Sequence, residues 1–218
     1  MELKGKKIVF LGDSITEGHG TSGEEATFVY QVGKLGGFRE SKNYGIGGTR
    51  IARQTKPTKD NPRFDLDFCS RVSELDEDAD IVVVFGGTND YGHGDARIGD
   101  FDSRELTTFY GTCHCLMSSL IERFPGKPIV FLTPLHTSYD RQIKKNIPDE
   151  GVTLATYVNI IREMAEYYSL PVLDLYAESG LQPALKTIRE RYVPDGLHPN
   201  DAGHVLLTEK ILAYLRAL

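Results

Sequence analysis

Three runs of continuously apolar, largely β-branched residues limit what this chain can fold into: residues 7–11 (Lys-Ile-Val-Phe-Leu), 81–85 (Ile-Val-Val-Val-Phe) and 129–133 (Ile-Val-Phe-Leu-Thr). A strand with one face in water alternates apolar and polar residues, whereas a strand covered on both faces has no reason to alternate. Such runs therefore call for helices on either side. The spacing supplies them, with strand candidates at 6–11, about 41–45, 81–85, 129–133 and 171–174. Between and after these lie helical patterns at about 24–36, 64–77, 103–124, 152–169 and 201–217. In the last, Ala202, Val205, Leu206, Ile211, Leu212 and Leu215 recur at helical spacing, and Asn200 or Asp201 can cap its start. Strands alternating with helices of this length imply parallel βαβ units and a three-layer α/β/α sandwich. Five strands fit the doubly wound order 2-1-3-4-5. Without an internal repeat or a low-complexity linker, residues 1–218 read as a single domain.

Charge and cysteine usage exclude several classes. A net charge of -6 argues against nucleic acid or an anionic membrane as partner, since those surfaces select clustered Lys and Arg. No apolar stretch approaches the length of a membrane span, and the first residues lead into a strand without a signal-peptide core, so the chain reads as cytoplasmic. The three cysteines, Cys69, Cys113 and Cys115, are an odd number in helical stretches, which favours reduced thiols over a disulfide framework. Cys113 and Cys115 do not share a helix face, so a metal site with His114 is not expected.

Two stretches resist regular structure, residues 91–102 and 134–150, and both follow strands. Long loops at the carboxyl edge of a parallel sheet are where open α/β folds place ligands. They contribute Tyr91, His93, Asp95 and Arg97, then His136, Tyr139, Arg141 and Lys144, a polar and aromatic set suited to rim a pocket. Of these, Tyr91, His93, His136 and Tyr139 are the substrate-binding candidates. Solvated loop residues are the equally good alternative.

Four segments carry groups that acyl transfer needs: a nucleophile, a base, a group orienting the base, and donors to an oxyanion. Gly12-Asp13-Ser14-Ile15 ends the first strand on a hydroxyl. The segment Asn43-Tyr44-Gly45-Ile46-Gly47-Gly48-Thr49 brings bare backbone after the second, and Gly86-Gly87-Thr88-Asn89-Asp90 brings a side-chain amide after the third. Asp195-Gly196-Leu197-His198-Pro199 places a carboxylate three residues before an imidazole in a loop rich in turn residues. Taken singly, each has an ordinary reading: a capping serine, a glycine turn, an Asn-Asp turn, an exposed loop. In the order 2-1-3, however, the first three segments flank one another at one edge.

Together these segments resemble the SGNH hydrolases, also called the GDSL esterase/lipase family. Gly12-Asp13-Ser14-Ile15 matches block I with Ile for Leu, Asn43 to Thr49 resembles block II, Gly87-Thr88-Asn89-Asp90 matches block III, and Asp195-Gly196-Leu197-His198-Pro199 matches block V. The resemblance runs from residue 8 to residue 200 in the family's order. It implies a flavodoxin-like three-layer fold and a serine esterase with the catalytic triad Ser14, His198 and Asp195. It further implies an oxyanion hole from the Ser14 and Gly48 N–H groups and the Asn89 amide, an acyl-enzyme intermediate, and no cofactor or metal. Aligning Asn43 points to Gly48 rather than Gly47 as the donor.

The expected substrate is a small carboxylic ester with a short acyl group, and a carbohydrate O-deacetylase is the narrower alternative. The reading from another class is a non-catalytic flavodoxin-like ligand-binding domain. It would call for a phosphate loop, and no Gly-x-Gly-x-x-Gly or Gly-x-x-x-x-Gly-Lys-Ser/Thr follows the first strand.

Overall fold

A computed structural model describes residues 1–58 and 61–218. The five strand candidates form strands β1 (Lys7–Gly12), β2 (Glu40–Gly45), β3 (Ile81–Phe85), β4 (Ile129–Leu132) and β5 (Val172–Leu173). All pair in parallel, in the order β2-β1-β3-β4-β5.

Nine helices accompany them among the described residues: α1 (Ser14–Glu17), α2 (Phe28–Gly36), α3 (Phe68–Arg71), α4 (Thr88–Gly92), α5 (Phe109–Arg123), α6 (Leu154–Tyr167), α7 (Leu175–Glu178), α8 (Lys186–Tyr192) and α9 (Asp201–Ala217). None is long and apolar enough to cross a membrane.

The unbroken apolar runs have the expected cause. Val9 and Leu11 of β1, with Val82 and Val84 of β3, pack on one face against Phe68, Leu116, Leu120, Val158 and Ile161 from α3, α5 and α6. Ile8 and Phe10, with Ile81, Val83 and Phe85, pack on the other against Phe28, Val32, Leu207 and Ile211 from α2 and α9. Successive side chains thus enter two separate cores, and each core needs its own apolar set.

Several boundaries differ from the sequence reading. The pattern at 64–77 breaks into a 3-10 turn at Pro62–Asp65, the short α3 and a second turn at Val72–Glu74, because Leu66 is extended and the Asp67 side chain accepts from Ser70 N to begin a new helix. The helix expected from 103 starts at Phe109, where Thr108 caps it by accepting from Gly111 N at 3.1 Å. On α9 Asn200 is the cap; Ile211, Leu212 and Leu215 of the spaced residues are buried, joined by Gly203, His204, Leu207 and Thr208, while Val205 is exposed. His204 earns its place by accepting a hydrogen bond from Phe28 N at 2.9 Å.

The cysteine expectation is overturned. Cys69 on α3 and Cys115 on α5 form a disulfide across 46 residues, with Cα atoms 6.2 Å apart, and only Cys113 is a free thiol. The two positions meet because the short α3 and the longer α5 pack on the same sheet face, a relation that spacing along the chain does not encode. Thiol titration in denaturant should find one reactive thiol before reduction and three after it. A count of three in protein purified without reductant would contradict the pairing.

Candidate active site

β1 and β2 both end in glycine where α1 crosses the sheet edge. A Cβ at Gly12 would fall 2.0 Å from the Thr16 hydroxyl, and one at Gly45 would fall 2.1 Å from Glu17 N. Only bare backbone allows α1 to lie that close. Asp13 precedes the helix and caps it, its buried carboxylate accepting from Ile15 N at 3.1 Å, so Ser14 opens α1. The first N–H groups of a helix have no acceptor within it, which leaves the Ser14 amide available beside its own side chain.

Ser14 Oγ lies 3.0 Å from His198 Nε2, and His198 Nδ1 lies 2.6 Å from Asp195 Oδ2. Asp195 uses its other oxygen locally, accepting from Leu197 N at 2.8 Å and His198 N at 2.7 Å. This is an Asx turn, and it explains why three residues suffice to set a carboxylate against an imidazole. Burial alone would raise the Asp195 pKa, but the bonds from the His198 backbone and ring and from Leu197 outweigh it and hold the carboxyl below its ordinary value. The ring of His19 packs on that of His198 with centroids 4.6 Å apart.

Gly47, Gly48 and Asn89 line the same cavity as the imidazole. Gly47 N donates to Glu17 Oε2 at 2.7 Å, whereas Gly48 N meets no acceptor among the described residues. Gly48 takes φ +79°, and a Cβ there would fall 2.3 Å from the Phe64 ring. Asn89, almost fully buried, donates from Nδ2 to Thr49 O at 2.9 Å, which ties the amide to the strand-two loop and leaves its second Nδ2 hydrogen unassigned.

These groups line one cavity of about 610 Å³, together with Glu17, Asn61, Arg63, Phe64, His93 and Leu197. The sequence candidates Ser14, Gly48, Asn89, His93 and His198 all reach it, and Asp195 stands behind His198. Tyr91, His136 and Tyr139 do not line it. Tyr91 is buried as a strut, its hydroxyl donating to Tyr139 O and Gln142 O, and Tyr139 stacks on it at 5.9 Å. His136 pairs with Asp140 and lies 3.9 Å from the Tyr176 ring. The loop at 134–150 instead buttresses the Asp195 turn, with Ser138 N donating to Gly196 O at 2.8 Å.

The rim that sequence reasoning missed comes from Glu17, His19 and the turn carrying Asn61, Arg63 and Phe64. Glu17 and Arg63 form an ion pair across the mouth. Glu17 was legible in principle, being one helical turn after Ser14. Among the described residues no three His, Cys, Asp or Glu side chains gather as metal ligands do.

The chain matches the GDSL-like lipase/acylhydrolase family over residues 10–206. It belongs to that family and is a carboxylic ester hydrolase. No curated protein matches it. One solved structure is 37% identical, with TM-score 0.84 over 100% of this chain and 99% of the other. A protein from Lactobacillus plantarum is 29% identical, with TM-score 0.82 and 98% of each chain covered. A lipase/acylhydrolase from Enterococcus faecalis shares the fold at 22% identity, with TM-score 0.65 over 97% of this chain and 96% of the other.

Beneath the site lie two buried carboxyls whose pKa values burial raises, Asp13 to about 7 and Asp90 to about 6. Asp90 accepts from Ile51 N at 2.9 Å and Ala52 N at 2.8 Å, anchoring the chain just beyond Gly48. A raised carboxyl pKa means the folded state holds a proton that the unfolded chain has released. For Asp13, stability should therefore fall as pH rises from about 4 to about 7. Asp13→Asn keeps an acceptor for Ile15 N–H and removes the titration. Urea unfolding should show the variant gaining on wild type at about pH 7.5 relative to about pH 4.5, and an identical difference at both would refute the assignment.

Proposed function

We propose that the chain is a serine esterase for small esters with short acyl groups, working through Ser14, His198 and Asp195. The observation that carries this reading is the continuous hydrogen-bonded path from Ser14 Oγ through the imidazole to the Asp195 carboxylate. His198 Nε2 takes the proton as Ser14 Oγ attacks the ester carbonyl, and Asp195 stabilises the imidazolium that results. The carbonyl oxygen, now an alkoxide, receives the Ser14 and Gly48 N–H groups and the Asn89 amide. His198 returns its proton to the leaving alcohol, and water attacks the acyl-enzyme by the same route.

Two features support a short acyl group. The alcohol must leave beside His198, which protonates it, so the acyl group lies toward the opposite wall, where Phe64 abuts Gly48. An aromatic ring at that position leaves little depth for a chain. On the alcohol side Glu17, His19, Asn61 and Arg63 give a polar mouth, and this supports an acetylated carbohydrate as the second reading. Tyr91, Tyr139 and His136, expected to bind substrate, lie outside the cavity lining and lend this reading no support.

Hydrolysis of p-nitrophenyl esters of increasing chain length should fall steeply beyond butyrate, and Ser14→Ala should lower kcat/KM by at least about 10³-fold. Equal rates in the two proteins would remove Ser14 from the mechanism. Phe64→Ala should raise the octanoate-to-acetate ratio of kcat/KM about tenfold, the worth of roughly two newly buried methylenes. An unchanged ratio would place the acyl group elsewhere.

A further inference from the structure

Asn89 can serve an oxyanion only if Nδ2, not Oδ1, faces Ser14, and the two ends of a carboxamide are nearly the same shape. A rotated amide would set a partial negative charge against the developing one. Thr49 O holds one Nδ2 hydrogen, and a second contact bears on the other end of the group. His93 Nε2 lies 3.2 Å from Asn89 Oδ1, and the backbone bond from His93 N to Asn89 O at 3.0 Å fixes the separation of the two residues at the end of α4.

That contact is a hydrogen bond only if the ring proton sits on Nε2, and the other face of the ring decides this. Arg50 Nη1 lies 3.5 Å from His93 Nδ1. A guanidinium has donors and no acceptor, so Nδ1 must be the lone-pair nitrogen. Arg50 is itself only 2% exposed and is held in place by donating to Phe64 O at 3.2 Å.

We propose that His93 is a positioning residue, fixed as the Nε2–H tautomer by Arg50, that locks the Asn89 amide with its donor toward Ser14. Burial, with the nearby charges of Arg50 and Lys144, pushes the His93 pKa down to about 4, so the ring stays neutral and keeps a lone pair for Arg50. The neutral ring then donates to Asn89 and accepts from Arg50 without changing state during turnover. A donor on Oδ1 also polarises the amide and strengthens its remaining N–H bonds.

This inference rests on Asn89 acting as an oxyanion donor, so the test separates the two. Asn89→Ala alone should lower kcat by about 10²–10³-fold. His93→Leu should lower kcat by roughly 10- to 100-fold with KM little changed, and should cost almost nothing further when added to Asn89→Ala. His93→Gln, which offers an amide donor at similar reach, should recover part of the loss.

A normal rate in Asn89→Ala would defeat the oxyanion reading and this inference with it. A slow Asn89→Ala beside a normal His93→Leu, or a His93 effect fully retained in the Asn89→Ala background, would defeat this inference alone. Nitrogen-15 NMR of ring-labelled histidine is independent of activity and of whether the leucine variant folds. It should find His93 neutral and protonated on Nε2 near neutral pH, and protonation on Nδ1 would overturn the proposal.

Discussion

Buried at the carboxyl edge of the sheet, the Arg71 guanidinium donates to Gly12 O at 3.1 Å, to Thr49 Oγ1 at 3.2 Å, and to Tyr44 O. Parallel strands that stop at a ligand site leave carbonyls without neighbours, and each acceptor left bare in a dry setting costs on the order of 1–3 kcal/mol. Gly12 O also accepts from Ile46 N at 3.0 Å, so one planar fork adds a second donor there while reaching Tyr44 O and a side chain from the loop beyond. Lysine, with a single point of attachment, has no way to span them. Desolvation lowers the Arg71 pKa, the expected consequence of burying a charge mainly among carbonyl groups. What the clamp fixes is the spacing between Gly12, two residues before Ser14, and Thr49, the residue after Gly48. The geometry around the serine therefore depends on a group that does not touch the cavity.

The same division of labour runs through the motifs. In Gly12-Asp13-Ser14 the glycine admits α1, the aspartate caps it, and only the serine faces the cavity. In Asn89-Asp90 the amide reaches the cavity while the neighbouring carboxylate points inward to hold Ile51 and Ala52. Two buried carboxyls with raised pKa values are a cost to the fold, and both sit where they fix the backbone on either side of the site. Local strain and desolvation of this kind persist only where the surroundings over-determine the arrangement.

Legibility in the sequence followed the range of the forces involved. The strands and their order were readable because two-sided burial leaves its mark in consecutive residues, as at Ile81–Phe85. The groups that meet at Ser14 were readable because each ends a strand or sits in an Asx turn, both local events. The pocket rim was not. Tyr91 and Tyr139 have the right chemistry and lie near the right edge, but side-chain direction in an irregular loop depends on what packs behind it, and here Gln142 O and the neighbouring ring claim them. Phe64 and Arg63 were hidden for the converse reason, since a broken helical pattern at 64–77 gives no hint that its first turn overhangs Gly48. The Cys69–Cys115 pair depended on α3 and α5 sharing a sheet face.

The two halves of the site are built to different standards of rigidity. On the imidazole side the Asp195 side chain is 53% exposed, and the dyad is carried by one turn braced through Ser138. On the amide side Asn89, Arg50 and Asp90 are all buried, and each has hydrogen-bond partners in a neighbouring loop. A base changes charge at every proton transfer of an acyl-transfer cycle, and a partly hydrated carboxylate beside it can follow those changes. Donors to an oxyanion contribute most when they are already oriented and need not reorganise as charge develops. The proposed base, with its half-exposed carboxylate partner, and the proposed dry, cross-braced donor set thus answer two different physical demands at one serine.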